Sequence, residues 1–267
     1  MPQLVICDID ATLVNEKKEL TPRTKEALIK LHEKGIYFGI ASGRPVDELK
    51  RNKERWDLPF DFDFVMGMNG AELWDGVHQK FYSYFMMKKE WLKETMEIMN
   101  VVECNPMVYW KGKIRCVRID DWMIHSASTS HKELEIVRLE DLYANENAKI
   151  MFRMKEEDMS KAESWVKAHP NPYYHGFKTQ TTLLEFCDKR INKGYGLQKI
   201  CELNDMDLKD VMAFGDTSND NEMLKVAGCG VCMINGTDDT KACANAITTY
   251  DNDHDGLAIY LEESEIV

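Results

Sequence analysis

The chain has 267 residues, 44% apolar and 30% charged, and a net charge of −12. This is enough for one large domain or two modest ones with real cores. The acidic balance excludes a basic nucleic-acid footprint, and no run of about 18 apolar residues offers a membrane span. Asp8 and Asp10 interrupt the only N-terminal apolar stretch, so no signal peptide is expected, and the 8 cysteines read as reduced thiols of a cytoplasmic protein.

Leu4 to Cys7 reads as a short buried strand that stops at two aspartates, Asp8 and Asp10. Thr21-Pro22 supplies a helix N-cap and a first-turn proline. That helix carries Ala27, Leu28 and Leu31 on one face and stops at Gly35. Ile36 to Ala41 is a second strand, Ser42 to Pro45 a loop, and a second helix runs to about Arg55. Phe64 to Gly67 is a third strand, ending at Asn69-Gly70-Ala71. Alternating strands and helices predict a parallel sheet.

The middle third changes character. Asp75-Gly76 reads as one hairpin turn, and Lys111-Gly112-Lys113 as another between Met107–Trp110 and Ile114–Ile119. Helices are expected over 88–99 and 158–167, and strands over 149–154 and 183–186, giving an α+β layer with helices on one face of a sheet. From Lys193 the alternation returns: a helix to about Leu203, a strand over 211–214, a loop Gly215 to Asp220 opening a helix, strands over 230–234 and 246–248, and a last helix over 256–261. The expected architecture is an α/β, Rossmann-like parallel-sheet core formed by residues 1–82 and 189–267, with an inserted α+β cap domain at 83–188.

Cys229-Gly230-Val231-Cys232 is a CxxC, but residues three apart in a strand point to opposite faces. No second CxxC or nearby His completes a zinc site, so these read as small core thiols.

Four loops carry the chemistry. They supply Asp8 and Asp10; Ser42 and Gly43; Lys193; and Asp216 with Asn219 and Asp220. In an open parallel sheet, loops after strands gather on one edge. Carboxylates, a hydroxyl and an ammonium converging there suit a hard divalent cation and a phosphate. Taken singly, each residue has a structural alternative. Asp8 and Asp10 fit a turn or a cap, Ser42 a helix N-cap, Lys193 a surface lysine, and Asp216 to Asp220 a capping loop.

Taken in order, Asp8-Ile9-Asp10-Ala11-Thr12-Leu13, Ala41-Ser42-Gly43-Arg44, Asn69-Gly70-Ala71, Asn192-Lys193-Gly194 and Gly215-Asp216-Thr217-Ser218-Asn219-Asp220 are similar to the haloacid dehalogenase-type phosphohydrolases, in the Cof-type branch with a large inserted cap. Asp255-Gly256-Leu257 resembles that family's closing segment, so the likeness covers essentially the whole chain. The resemblance implies Asp8 as the nucleophile that forms an aspartyl-phosphate. It implies Asp10 as general acid and base, with its backbone carbonyl on the metal. Asp8, Asp10 and Asp216 would hold Mg²⁺. Ser42, Lys193 and the backbone N–H groups of Ile9 and Gly43 would hold the transferring oxygens. Asn219 would contact phosphate or metal-bound water, and Asp220 would orient Lys193 or the waters around the metal. Arg44 and Asn69 are candidates for substrate contact.

The family usually has glycine where this chain has Ala11; a negative φ, harmless to alanine, is expected there. The function implied is a Mg²⁺-dependent phosphatase for small phosphorylated metabolites such as sugar phosphates, acting as a monomer or homodimer, with no nucleic-acid or membrane partner. The alternatives are a phosphomutase using the same aspartyl-phosphate and a non-catalytic phospho-acceptor or phosphate sensor. Tyr109, Trp110, Trp122 and the Lys111–Arg118 hairpin are candidates for a leaving-group surface.

Overall fold

The computed structural model describes all 267 residues. The chain divides into two compact units, one made of Met1–Tyr82 with Ile191–Val267 and the other of Ser83–Arg190. No helix is long and apolar enough to cross a membrane.

The first unit begins with β1 (Leu4–Asp8), α1 (Pro22–Glu33) and β2 (Tyr37–Ala41). Two short helices follow, α2 (Val46–Leu49) and α3 (Asn52–Arg55), where one was expected. Next come β3 (Phe64–Gly67), β4 (Glu72–Asp75) and β5 (Lys80–Ser83). The second unit holds α4 (Lys89–Met99), β6 (Cys104–Trp110), β7 (Lys113–Cys116), α5 (Asp121–Ser130), β8 (Glu133–Ile136), α6 (Leu139–Leu142), β9 (Lys149–Met154), α7 (Glu156–Ala168), β10 (Tyr174–Gln180) and β11 (Leu183–Asp188). The chain then returns to the first unit through α8 (Lys193–Leu203), β12 (Val211–Gly215), α9 (Asn221–Val226), β13 (Cys229–Cys232), α10 (Asp238–Cys243), β14 (Ala246–Ile247) and α11 (Gly256–Glu263).

The sheet of the first unit has the order β14-β13-β12-β1-β2-β3-β4-β5. It is parallel from β14 to β3, and β4 runs antiparallel to β3. Every residue of β1, β3 and β12 is buried, as expected for strands covered on both faces. Val5, Cys7, Phe38 and Ile40 pack with Leu28 and Leu31 of α1 and Leu257 and Leu261 of α11. Thr21 caps α1 by accepting from the Thr24 N–H, and Pro22 follows it, as predicted. On the other face α8 comes so close to β3 that a Cβ at Gly196 would lie 2.7 Å from the Met66 sulfur. That approach carries Lys193, the first residue of α8, towards the end of β1. Cys229 and Cys232 lie along β13, with Cys232 buried.

The second unit is a six-stranded sheet, β10-β11-β9-β6-β7-β8. Its pairs are antiparallel except β7 with β8, which α5 connects as a parallel crossover. Ile150, Phe152, Leu184 and Val108 face α4 and α7 through Leu92, Met96, Met159 and Ala162. The alternate residues Met107, Met151 and Leu183 point the other way and meet Met123 of α5. Helices therefore cover both faces, which corrects the expectation of one. The Lys189 N–H donates to the Tyr173 carbonyl at 2.9 Å, keeping the chain in this unit past Asp188.

Candidate active site

The carboxyl ends of three parallel strands and the start of one helix meet in the first unit. β1 ends on Asp8, β2 leads into Ser42-Gly43-Arg44, β12 leads into Asp216, and α8 begins with Lys193. Asn192 caps α8 by accepting from the Tyr195 N–H at 2.8 Å. The Lys193 Nζ donates to Asp8 Oδ1 and lies 2.5 Å from Asp220 Oδ1. The other oxygen of Asp220 accepts from the backbone N–H groups of Asp216 at 3.0 Å and Thr217 at 3.2 Å. Gly215 is needed beside it, because a Cβ there would run into the Asp220 side chain. The Thr12 hydroxyl donates to Asp216 Oδ1 at 3.0 Å.

Asp8, Asp216 and Asp220 are all buried, and each offers a carboxylate oxygen within 4.8 Å of the others. Burial pushes the Asp8 carboxyl up to about 8; Lys193 opposes this, while Asp220 and Asp216 add to it. Burial and then Asp220 push Asp216 up to about 6, against the Thr12 hydrogen bond and Lys193. Burial alone would lower the Lys193 ammonium, but Asp220 and Asp8 outweigh it and hold it above its usual range. Three carboxylates thus share one ammonium. The deficit of positive charge and the all-oxygen donor set fit a hard divalent cation.

The Asp10 carboxylate stands outside this cluster. Arg44 Nη2 donates to both its oxygens, at 2.9 and 3.2 Å, and Lys18 Nζ lies 2.9 Å from Oδ1. Between Asp8 and Thr12 the chain turns tightly, with the N–H groups of Leu13 and Val14 both donating to the Ile9 carbonyl. The turn puts Ala11 at φ 58°. The expectation of a negative φ is therefore wrong: the turn sets the dihedral, and alanine accepts left-handed strain there. Asn235 donates to the Ala11 carbonyl at 2.8 Å and braces the turn.

Ser42 does not cap a helix, since Pro45 occupies the N-cap of α2. Its hydroxyl accepts from the Arg44 N–H at 3.3 Å. Its carbonyl accepts from the Asn69 N–H at 3.0 Å. Asn69 is also left-handed, at φ 54°, and its side-chain oxygen accepts from Asn219 at 3.4 Å. Gly43 faces the Asn69 amide. The structure thus links Ser42, Gly43 and Asn219 through Asn69. Sequence reasoning gave no role to Lys18, an ordinary lysine in a polar loop without a motif to mark it.

In the second unit, Lys132 and Lys149 lie over the Tyr109 ring, at 5.6 and 5.8 Å from its centroid. Lys111 and Arg115 lie over Trp110. Trp122 sits on α5.

The sequence profile of the haloacid dehalogenase-like hydrolases matches residues 5–261. The chain belongs to the haloacid dehalogenase-like hydrolase family. It is 27% identical to the 5-amino-6-(5-phospho-D-ribitylamino)uracil phosphatase YitU of Bacillus subtilis, over 98% of this chain and 97% of that one. A solved haloacid dehalogenase-like hydrolase from Bacteroides thetaiotaomicron superposes with a TM-score of 0.88 at 26% identity, covering 99% of this chain and 100% of that one. A solved subclass IIB sugar phosphatase shares the fold, with a TM-score of 0.82 at 24% identity over 99% of this chain and 100% of that one. The chain is an enzyme, a phosphoric monoester hydrolase with the subclass IIB fold.

Proposed function

We propose that this hydrolase is a Mg²⁺-dependent phosphatase of small phosphomonoesters, sugar phosphates among them, working through an aspartyl-phosphate on Asp8. The observation that carries this reading is the buried cluster of Asp8, Asp216 and Asp220 around Lys193.

An Asp8 oxygen attacks phosphorus and the bond to the leaving oxygen breaks. Asp10 gives that oxygen its proton, so the product leaves as a neutral alcohol. In the second half, Asp10 takes a proton from a water whose oxygen attacks phosphorus. The phosphorus–Asp8 bond breaks, and inorganic phosphate and free Asp8 result. Lys193, fixed by Asp220, places one positive charge beside the phosphoryl group, and the Ser42 hydroxyl, the N–H groups of Ile9 and Gly43, and Asn219 hold its oxygens. The 3.4 Å hydrogen bond from Asn219 to the Asn69 side chain supports a role for Asn69 in orienting Asn219.

Asp8, Asp216 and the Asp10 backbone carbonyl would hold Mg²⁺, with Asp220 fixing the Asp216 backbone. The cation neutralises phosphate charge that would otherwise repel the Asp8 carboxylate.

The test is a panel of phosphoesters assayed for phosphate release with and without Mg²⁺. The substrate named for the Bacillus subtilis relative belongs on the panel beside sugar phosphates. Release should need Mg²⁺ and vanish in Asp8→Asn. Release that survives EDTA removes the metal role, and release that survives in Asp8→Asn removes the nucleophile. Isomerised sugar phosphate in place of free phosphate identifies a mutase.

A further inference from the structure

Asp10 is the site carboxylate most open to solvent, with its side chain 38% exposed. It stands on the wall of a cavity of about 580 Å³ that Val14, Leu20 and Trp56 also line. A carboxylate so exposed is not held in one direction by packing alone, yet a proton donor must hold one direction to be effective.

Two cations from different segments converge on it. Arg44 follows β2, and a single guanidinium nitrogen bridges both Asp10 oxygens. The other nitrogen of its fork lies 3.7 Å from Glu48 on α2. Lys18 comes from the loop after β1. That loop is closed on itself: the Lys18 N–H donates to the Asn15 carbonyl at 2.9 Å, and the Glu19 N–H to the Asn15 side chain at 2.9 Å. It is also tied to the far end of the chain, Glu16 N–H to Asp253 at 2.7 Å and Asn252 to the Val14 carbonyl at 2.9 Å. Lys18 sits at φ 64° within it, and its ammonium ends on Asp10. One exposed ion pair holds a side chain weakly. Two cations meeting at one carboxylate from anchored segments leave it few alternatives.

We propose that Lys18 and Arg44 are positioning residues that fix the direction of the Asp10 carboxylate for proton transfer. The proposal rests on the acid–base role given to Asp10 above. It assigns Arg44 to Asp10, where the sequence suggested substrate contact.

The experiment compares Lys18→Met, Arg44→Met and Asp10→Asn with the unaltered enzyme on two substrates. One is an alkyl phosphate, whose leaving alkoxide needs a proton. The other is p-nitrophenyl phosphate, whose leaving group needs none. In Lys18→Met and Arg44→Met, kcat/KM, which reports the phosphorylation step and not the later hydrolysis that both esters share, should fall about tenfold or more on the alkyl ester relative to the aryl ester. Asp10→Asn should show the same bias more strongly. Adding Lys18→Met to Asp10→Asn should cost nothing further, because the group being positioned is gone. Lys18→Arg should restore much of the loss.

An equal loss of kcat/KM on both esters would mean that the cations bind substrate, and would overturn the proposal. So would unchanged kinetics. A readout without turnover is a crystal structure of the Lys18→Met, Arg44→Met double variant. The Asp10 carboxylate should spread over more than one rotamer; a single unchanged rotamer rejects the proposal even if the enzyme proves inactive on both esters. Inactivity of the unaltered, Mg²⁺-supplied enzyme counts instead against the phosphatase reading.

Discussion

Lys193 Nζ lies 2.5 Å from Asp220 Oδ1, and neither side chain has any exposed surface. The same ammonium also serves Asp8, so one cation holds two buried carboxylates. Removing one member of a buried ion group strands the others. Lys193→Met should lower stability by about 4 kcal/mol, read from urea midpoints. Lys193→Arg should not restore activity, since its wider fork has no room in this closed position. A midpoint unchanged in Lys193→Met would show that water reaches the cluster and relieves it.

Asp220 does not rely on Lys193 alone; it also holds the backbone of the Asp216 loop. Asp220→Asn keeps the shape but loses a charge and an acceptor. Mg²⁺ affinity should fall about 10- to 100-fold, the usual effect of losing an orienting partner behind a metal ligand. Isothermal titration with Mg²⁺ measures this directly, and equal affinities would show that Asp220 contributes nothing to the metal site.

The raised carboxyls of Asp8 and Asp216 predict how stability varies with pH. Their folded values, about 8 and about 6, lie above the ordinary 3.8. Between about pH 4 and about pH 8 the folded, metal-free protein therefore binds more protons than the unfolded chain. The contribution of these groups is fully present below that window and is lost as pH rises through it. In EDTA, Tm should drop from about pH 5 to about pH 8. Asp8→Asn should flatten the slope. Mg²⁺ binds the deprotonated groups, so the Tm gain on adding it should widen with pH. A gain that shrinks with pH contradicts the assignment.

Ala11 carries left-handed strain at φ 58° that glycine would not. Ala11→Gly relieves it but gives the unfolded chain more freedom, leaving a net gain of about 0.5–1 kcal/mol. The urea midpoint should rise without a change in slope. A lower midpoint would mean that the methyl group packs well enough to repay the strain.

Strand-end placement made Asp8 and Asp216 legible, because a buried apolar run that stops at a charged loop is a local pattern, while Lys193 was legible as the start of a helix after the insertion. The turn after β1 was not: the sign of φ at Ala11 depends on how the Ile9 carbonyl and Asn235 hold the loop. The helix α5 was also missed. Its run Asp121-Trp-Met-Ile-His-Ser-Ala-Ser-Thr-Ser130 is rich in weak helix formers. The visible signal was Asp120, which caps it by accepting from the Met123 N–H at 2.9 Å. The strand β8 alternates, Glu-Leu-Glu-Ile, but over only four residues, and β10 is short of apolar alternation and mostly exposed beyond Tyr174. The pairing of Lys18 and Arg44 with Asp10 is tertiary, and no local rule announces it.

The hydrogen bond from Thr12 to Asp216 spans 204 residues of chain, and β1 takes β12 as one of its two partners. During synthesis β1 emerges well before β12 and waits with one edge bare until the chain has grown past Val211. Asp8 and Asp216 cannot meet before then. The acidic cluster therefore closes late, after the interposed unit has had time to fold, and that exposed strand edge is the stretch on which a chaperone has most to gain.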